Sequence, residues 1–247
     1  TLFVEEFQGS LRLTAEYAPH LFDEVPIAKS IGHSRLALEW LVDVSEDVPV
    51  SMLELVSARE LYAAMNLDHS LFERVMPLTA MQRDLYLPSE LDPGTLENSL
   101  GYAVELNSEL NVDRWVKELE RFTHSQGVMR TDFRRCSLPY ADSIFQCVYR
   151  ASHFDLPLEI SDMSDRDWDE ENLQRLIESK IYRPYEVGRD SLVNHYLIKL
   201  ADKRWLTILA THHALLDGVG FLEHLLTVCS NYERGSADEE TEVIPDL

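Results

Sequence analysis

The chain has 247 residues, 45% of them hydrophobic and 27% charged, which is ordinary composition for a folded protein with a substantial core. Its 44 acidic against 22 basic residues give a formal charge of −22, which argues against nucleic acid, whose phosphates need Lys and Arg, and against anionic membrane surfaces. No apolar run is long enough to span a bilayer and no signal peptide is read, while three scattered cysteines (Cys136, Cys147, Cys229) suit reduced thiols in a cytoplasmic chain.

In chain order, 3–7 and 11–17 carry strand patterns, and a helix is expected over 25–44. The acidic, Pro-containing stretch 43–50 reads as a loop, and 52–65 as a short helix bridging to the next unit, with a boundary near 66–71. Asn111 is placed to cap a helix whose Val112, Trp115, Val116, Leu119 and Phe122 form an apolar core stripe at helical spacing. Strands are expected at 99–106, 143–149, 192–200 and 205–211. The charge-dense 162–171 reads as a solvated loop running into a helix over 172–181, and a last helix covers 221–232 before the chain passes into an acidic, linker-like tail.

The strand pattern at 205–211 runs into His212-His213-Ala-Leu-Leu-Asp217-Gly218. A strand end can aim one imidazole into a cleft while its neighbour points to the opposite face, and His is the side chain best suited to moving protons near neutral pH. A metal is not implied: one ion seldom takes both neighbours on a strand, no CxxC or HExxH partner exists, and the cysteines lack ligand spacing. His20, His33, His69, His153, His195 and His224 stand alone and read as boundary or surface residues, Gln82 and Arg83 as structural, and Arg134-Arg135 as a solvated pair.

With three upstream segments, the motif resembles the condensation domain of nonribosomal peptide synthetases, in the chloramphenicol-acetyltransferase-like superfamily. Those segments are Met76 to Leu87 (a Pro-Leu-Thr turn into a helix with Gln82, Arg83 and Tyr86), Met129-Arg130-Thr131-Asp132-Phe133, and Arg183 to Leu192. Two departures leave substrate preference and rate open: Ser125-Gln126-Gly127 replaces the family's Arg-His-Glu, with His124 one residue too early, and Gly220 stands where Ser is common. Residues 9–53 resemble the end of such a domain rather than its beginning, in the Leu11–Tyr17 strand, the Leu21-Phe22 turn, the long helix and the Val48-Pro49-Val50 tail. A junction between consecutive domains of a larger synthetase is the favoured explanation, beside a permuted domain or a free-standing protein.

The resemblance implies an α/β fold: an acetyltransferase-like lobe, a mixed sheet with flanking helices, preceded by a strand–helix segment. It divides the chain into 1–65 (end of a second lobe), a junction at 66–70, the first lobe at 71–233 and an acidic linker at 234–247. It implies an acyltransferase that forms an amide between a carrier-bound thioester donor and a carrier-bound amine. Substrates would arrive on phosphopantetheine arms of donor and acceptor carrier proteins, with neighbouring synthetase domains as further partners and no cofactor or metal held by the chain. His213 would be the catalytic base or positioner of the amine, His212 a support of the loop, and Gly218 a source of a backbone N–H or of clearance. Asp217 would be structural and would pair with Arg130. In the resembled family the active site lies in a tunnel between two lobes, so with only one of them here the fragment alone is expected to be inactive. Two alternatives stay open: a coenzyme A-dependent acyltransferase of the same superfamily, and a non-catalytic interaction module.

Overall fold

The computed structural model describes residues 1–43, 58–138, 141–186, 188 and 190–235, and the chain clusters into two units, 1–69 with 135–144 and 70–134 with 145–247. Residues 44–50 of the expected loop, 52–57 of the helix expected at 52–65 and the acidic tail from 236 onward fall outside the described residues, and Asp43 is the last residue of a helix.

The first unit opens with an antiparallel hairpin of β1 (Leu2–Phe7) and β2 (Ser10–Ala15). Its two-residue turn places Gln8 at φ 52° and Gly9 at φ 75°, a left-handed pair that matches the twist of the flanking strands and that glycine adopts without strain. Helix α1 (Glu24–Asp43) follows, with no buried residue along its length, and then α2 (Ala58–Ala64). Leu2, Phe3, Phe7, Leu11, Leu21 and Phe22 are exposed.

The second unit is built on a four-stranded sheet in the order β4 (Ser99–Leu106), β9 (Arg204–His212), β8 (Val193–Ala201), β7 (Leu158–Asp162). β9 runs antiparallel to both of its neighbours, and β7 pairs parallel to β8. Strand alternation divides the sheet's side chains between two faces. Tyr196, Ile198, Leu200, Leu206, Ile208 and Ala210 form one buried cluster with Leu173 and Ile181 of α5 (Glu170–Ile181). On the other face Tyr102 and His195 meet His224 of α6 (Gly218–Arg234), and α6 packs on α4 (Val112–Ser125). Gly101 lets α5 approach the sheet: a Cβ there would stand 2.5 Å from the Leu209 carbonyl and 2.9 Å from Ile181 Cγ1. The mixed sheet with helices on both faces is the α/β lobe expected from the sequence.

A second sheet has the order β3 (Phe72–Pro77), β6 (Ala141–Tyr149), β5 (Thr131–Leu138), with β3 antiparallel to β6. Helix α3 (Ala80–Leu91) follows β3 through a capping box: the Gln82 N–H donates to the Thr79 hydroxyl at 3.2 Å and the Thr79 N–H to Gln82 Oε1 at 2.9 Å. Asn111 caps α4 as expected, its Oδ1 accepting from the Arg114 N–H at 3.0 Å, and Trp115, Leu119 and Phe122 are buried. Asp169 caps α5 in the same way. Among the described residues no helix is long and apolar enough to cross a membrane.

Candidate active site

The two histidines stand where the central strand β9 gives way to α6. His212, at the strand end, is 1% exposed, and its N–H donates to the Leu192 carbonyl at 3.1 Å. The His213 N–H donates to the Asn98 carbonyl at 2.8 Å, and Asn98 is tied to α3 by its side-chain donation to the Leu85 carbonyl at 2.5 Å. The Leu215 N–H turns back to the His212 carbonyl at 3.0 Å. The loop between strand and helix is therefore held by its own backbone and by the α3–β4 connection, as a site that must keep its geometry requires.

His213 is half-buried, and its Nδ1 lies 3.1 Å from the Leu216 carbonyl. A carbonyl can only accept, so this hydrogen bond assigns the ring proton of the neutral imidazole to Nδ1 and leaves Nε2 with a lone pair able to take a proton. His212 plays a different part. Burial, and then the adjacent His213, push its imidazole down to about 4, so it is neutral near pH 7. Its Nε2 lies 3.1 Å from Ser89 Oγ, its Nδ1 accepts the Ala214 N–H at 3.1 Å, and Tyr86 and Tyr185 flank the ring.

Asp217 is the N-cap of α6: its Oδ1 accepts from the Val219 N–H at 3.0 Å and the Gly220 N–H at 2.9 Å. The expected pairing of Asp217 with Arg130 is not made. Arg130 is 5% exposed and directs its guanidinium elsewhere, donating to the Thr123 carbonyl at 3.2 Å and to the Tyr149 carbonyl, with Glu73 Oε2 at 3.2 Å. The physical reason lies in the short turn Gly127–Arg130: its carbonyl-rich surroundings and Glu73 on β3 satisfy the cation, while the helix N–H groups claim the aspartate.

Gly218 opens α6, and apart from its chain neighbours and its own helix backbone no atom lies within 4 Å of where its Cβ would stand. Gly220 is the more crowded: a Cβ there would meet Leu216 Cδ2 at 2.9 Å, so a serine in its place would require the Leu216 side chain to shift.

Two further groups escaped the sequence reading. Tyr102 Oη lies 2.6 Å from His224 Nδ1, and His224 Nε2 lies 3.2 Å from His195 Nε2, with both imidazoles buried rather than at a surface. Burial pushes His195 down to about 4; burial, then His195, holds His224 well below its ordinary value. Among the described residues His195 Nδ1 has no hydrogen-bond partner. Arg134, read as solvated, bridges Asp132 at 2.5 Å, the Gly188 carbonyl at 2.7 Å and the Tyr149 hydroxyl at 3.2 Å, while Arg135 is exposed. The signals were faint: a histidine inside an apolar strand (Val193, His195, Leu197), and another on a helix face with Phe221 and Val228. Among the described residues no group of three or more His, Cys, Asp or Glu is arranged to hold a metal ion.

Against known proteins, the family model described as Condensation domain matches residues 72–243. Similar curated proteins include surfactin synthase subunit 2 of Bacillus subtilis (strain 168), 22% identical over 85% of this chain and 5% of that protein. Chondramide synthase cmdD of Chondromyces crocatus is 24% identical over 58% of the chain and 4% of that protein. Tyrocidine synthase 3 of Brevibacillus parabrevis is 21% identical over 79% of the chain and 3% of that protein. The chain thus spans a small fraction of each of these relatives. Among solved structures, the starter condensation domain of rhizomide synthetase RzmA superposes with a TM-score of 0.59 at 16% identity, covering 69% of this chain and 42% of that one. The first condensation domain of the calcium-dependent antibiotic synthetase, in complex with a substrate analogue, gives 0.57 at 20% identity, covering 67% and 39%. These likenesses show the fold, and the match over 72–243, which takes in the His212–Gly218 loop, shows that the chain belongs to the condensation domain family.

Proposed function

We propose that this chain supplies the histidine-bearing lobe of a condensation domain that joins a carrier-bound acyl or peptidyl thioester to a carrier-bound amine. The observation that carries the reading is the His213 Nδ1 hydrogen bond to the Leu216 carbonyl, which leaves Nε2 as a proton acceptor on the loop between β9 and α6. An α-amine has a pKa of about 8, so an appreciable fraction is neutral near pH 7 and positioning outweighs strong base catalysis, with a worth of about 7–11 kcal/mol. The amine nitrogen attacks the thioester carbonyl, the C–N bond forms, and His213 Nε2 takes the proton that nitrogen sheds. The C–S bond then breaks, and the proton passes to the leaving sulfur, regenerating neutral His213. No Ser or Cys accompanies the motif, so no acyl-enzyme is invoked.

The substrates ride on phosphopantetheine arms of donor and acceptor carriers, and neighbouring synthetase domains are the remaining partners. The multidomain synthetases among the relatives support that setting. Residues 1–65 are the closing segment of a preceding domain's second lobe. Support comes from the absence of buried residues on α1 and from the exposed apolar side chains of β1 and β2. The test is His213→Ala in the intact polypeptide that carries this sequence, with amide product followed by mass spectrometry on loaded carriers. Product should fall by a factor of about 10² or more, within the general-base range. Undiminished product from a folded variant refutes the role of His213, and product from free acyl-coenzyme A in place of the loaded donor carrier moves the assignment to the coenzyme A-dependent class.

A further inference from the structure

His212 makes two hydrogen bonds that together fix its proton. The Ala214 backbone N–H can only donate, and it lies 3.1 Å from Nδ1, so Nδ1 presents a lone pair. The ring is neutral in its buried site, so the single remaining proton sits on Nε2, 3.1 Å from Ser89 Oγ. Ser89 is 8% exposed on α3, a helix 123 residues away in sequence, and the rings of Tyr86 and Tyr185 stand near the imidazole with centroids 6.3 and 5.8 Å away. The serine hydroxyl is the acceptor that makes the Nε2–H tautomer tolerable in a buried site.

We propose that Ser89 is a positioning residue of the condensation reaction: by accepting the Nε2 proton of His212 it locks that ring in the one tautomer that receives the Ala214 N–H, and so holds the Leu216 carbonyl that orients His213. The proposal rests on the reading of His213 as the group that takes the amine proton. Without the hydroxyl, His212 Nε2–H is buried with no acceptor. The ring's alternative is to carry its proton on Nδ1, where it faces the Ala214 N–H donor to donor and releases the loop. Leu216, two residues on, then loses its fixed place, and the His213 proton is free to move to Nε2, filling the lone pair that the reaction needs.

The experiment has two readouts. In the chain labelled with ¹⁵N-histidine, imidazole nitrogen shifts report the tautomer directly. Unsubstituted His212 should show a protonated Nε2 and a bare Nδ1, Ser89→Ala should give averaged shifts at both His212 and His213, and Ser89→Thr, which keeps the hydroxyl, should restore them. In the intact synthetase polypeptide, Ser89→Ala should lower kcat by about 10-fold or more with KM for both loaded carriers within about twofold, and Ser89→Thr should recover most of it. A His212 proton on Nδ1 in the unsubstituted chain overturns the proposal whether or not the variants fold. So do unchanged shifts and rate in Ser89→Ala, or a threonine variant as impaired as the alanine one. An unsubstituted polypeptide that forms no amide overturns the condensation reading, and Ser89's place in that reaction with it, while the nitrogen shifts still decide whether Ser89 governs His212.

Discussion

Acid should unfold this protein through its buried imidazoles. His195 and His212 are pushed down to about 4 by burial, against an ordinary value of 6.5, and His224 is held well below 6.5. In the unfolded chain all three titrate near 6.5, so between pH 6.5 and pH 4 the unfolded state binds more protons and stability is lost as the pH falls. A group that titrates at about 4 when folded and about 6.5 when unfolded accounts for about 2 kcal/mol between pH 7 and pH 5. His195 and His212 together give about 4 kcal/mol on that basis, and His224 acts in the same direction. Asp132 works the other way, because burial outweighs its Arg134 partner and holds its carboxyl above the usual range, so protonating it favours the folded state. Urea titrations of the chain at pH 7, 6 and 5 and constant ionic strength measure the balance. With a slope of about 2–3 kcal/mol per molar for a protein of this size, the midpoint should fall by about 1–2 M from pH 7 to pH 5. A midpoint that holds or rises over that range refutes the assignment of dry, neutral imidazoles to these positions.

Two further substitutions probe the scaffold. Gly101→Ala forces a methyl to within 2.5 Å of the Leu209 carbonyl, a backbone atom that cannot step aside, and should cost about 1–3 kcal/mol in the same urea assay; an unchanged midpoint would mean that β4 and α5 are less tightly packed than described. Asp217→Ala removes the acceptor of two N–H groups at the start of α6 and should cost about 1 kcal/mol, whereas Asp217→Asn, which keeps the cap oxygen, should cost less; equal losses would point to a charge partner rather than a cap.

The parts of the structure that were legible in the sequence are those whose signal is local. The α4 stripe and its Asn111 cap, the strand running into His212, and each motif segment taken by itself follow from neighbours a few residues apart. β7 was missed because Leu-Glu-Ile-Ser-Asp is short and carries two acidic residues in five, and its parallel partner β8 lies beyond the whole of α5 in the chain. The Tyr102–His224–His195 chain was missed because a lone histidine carries no mark of burial until three elements meet around it. Arg130 was assigned its partner by resemblance, and the nearer carbonyls of Thr123 and Tyr149, with Glu73, outcompete Asp217 for it. Ser89 had no signal in the sequence, since its significance comes from the ring that faces it across the fold.

The strand that delivers His212 is paired along both edges, β4 on one side and β8 on the other. Amides of a strand flanked in this way open to solvent exchange only when the whole cooperative unit opens, whereas edge strands and peripheral helices open in smaller excursions. The imidazole-bearing loop is thus anchored to the most slowly exchanging part of the lobe. Heat or denaturant that removes the site's geometry has to remove the lobe with it, and loss of the site should coincide with global melting rather than precede it.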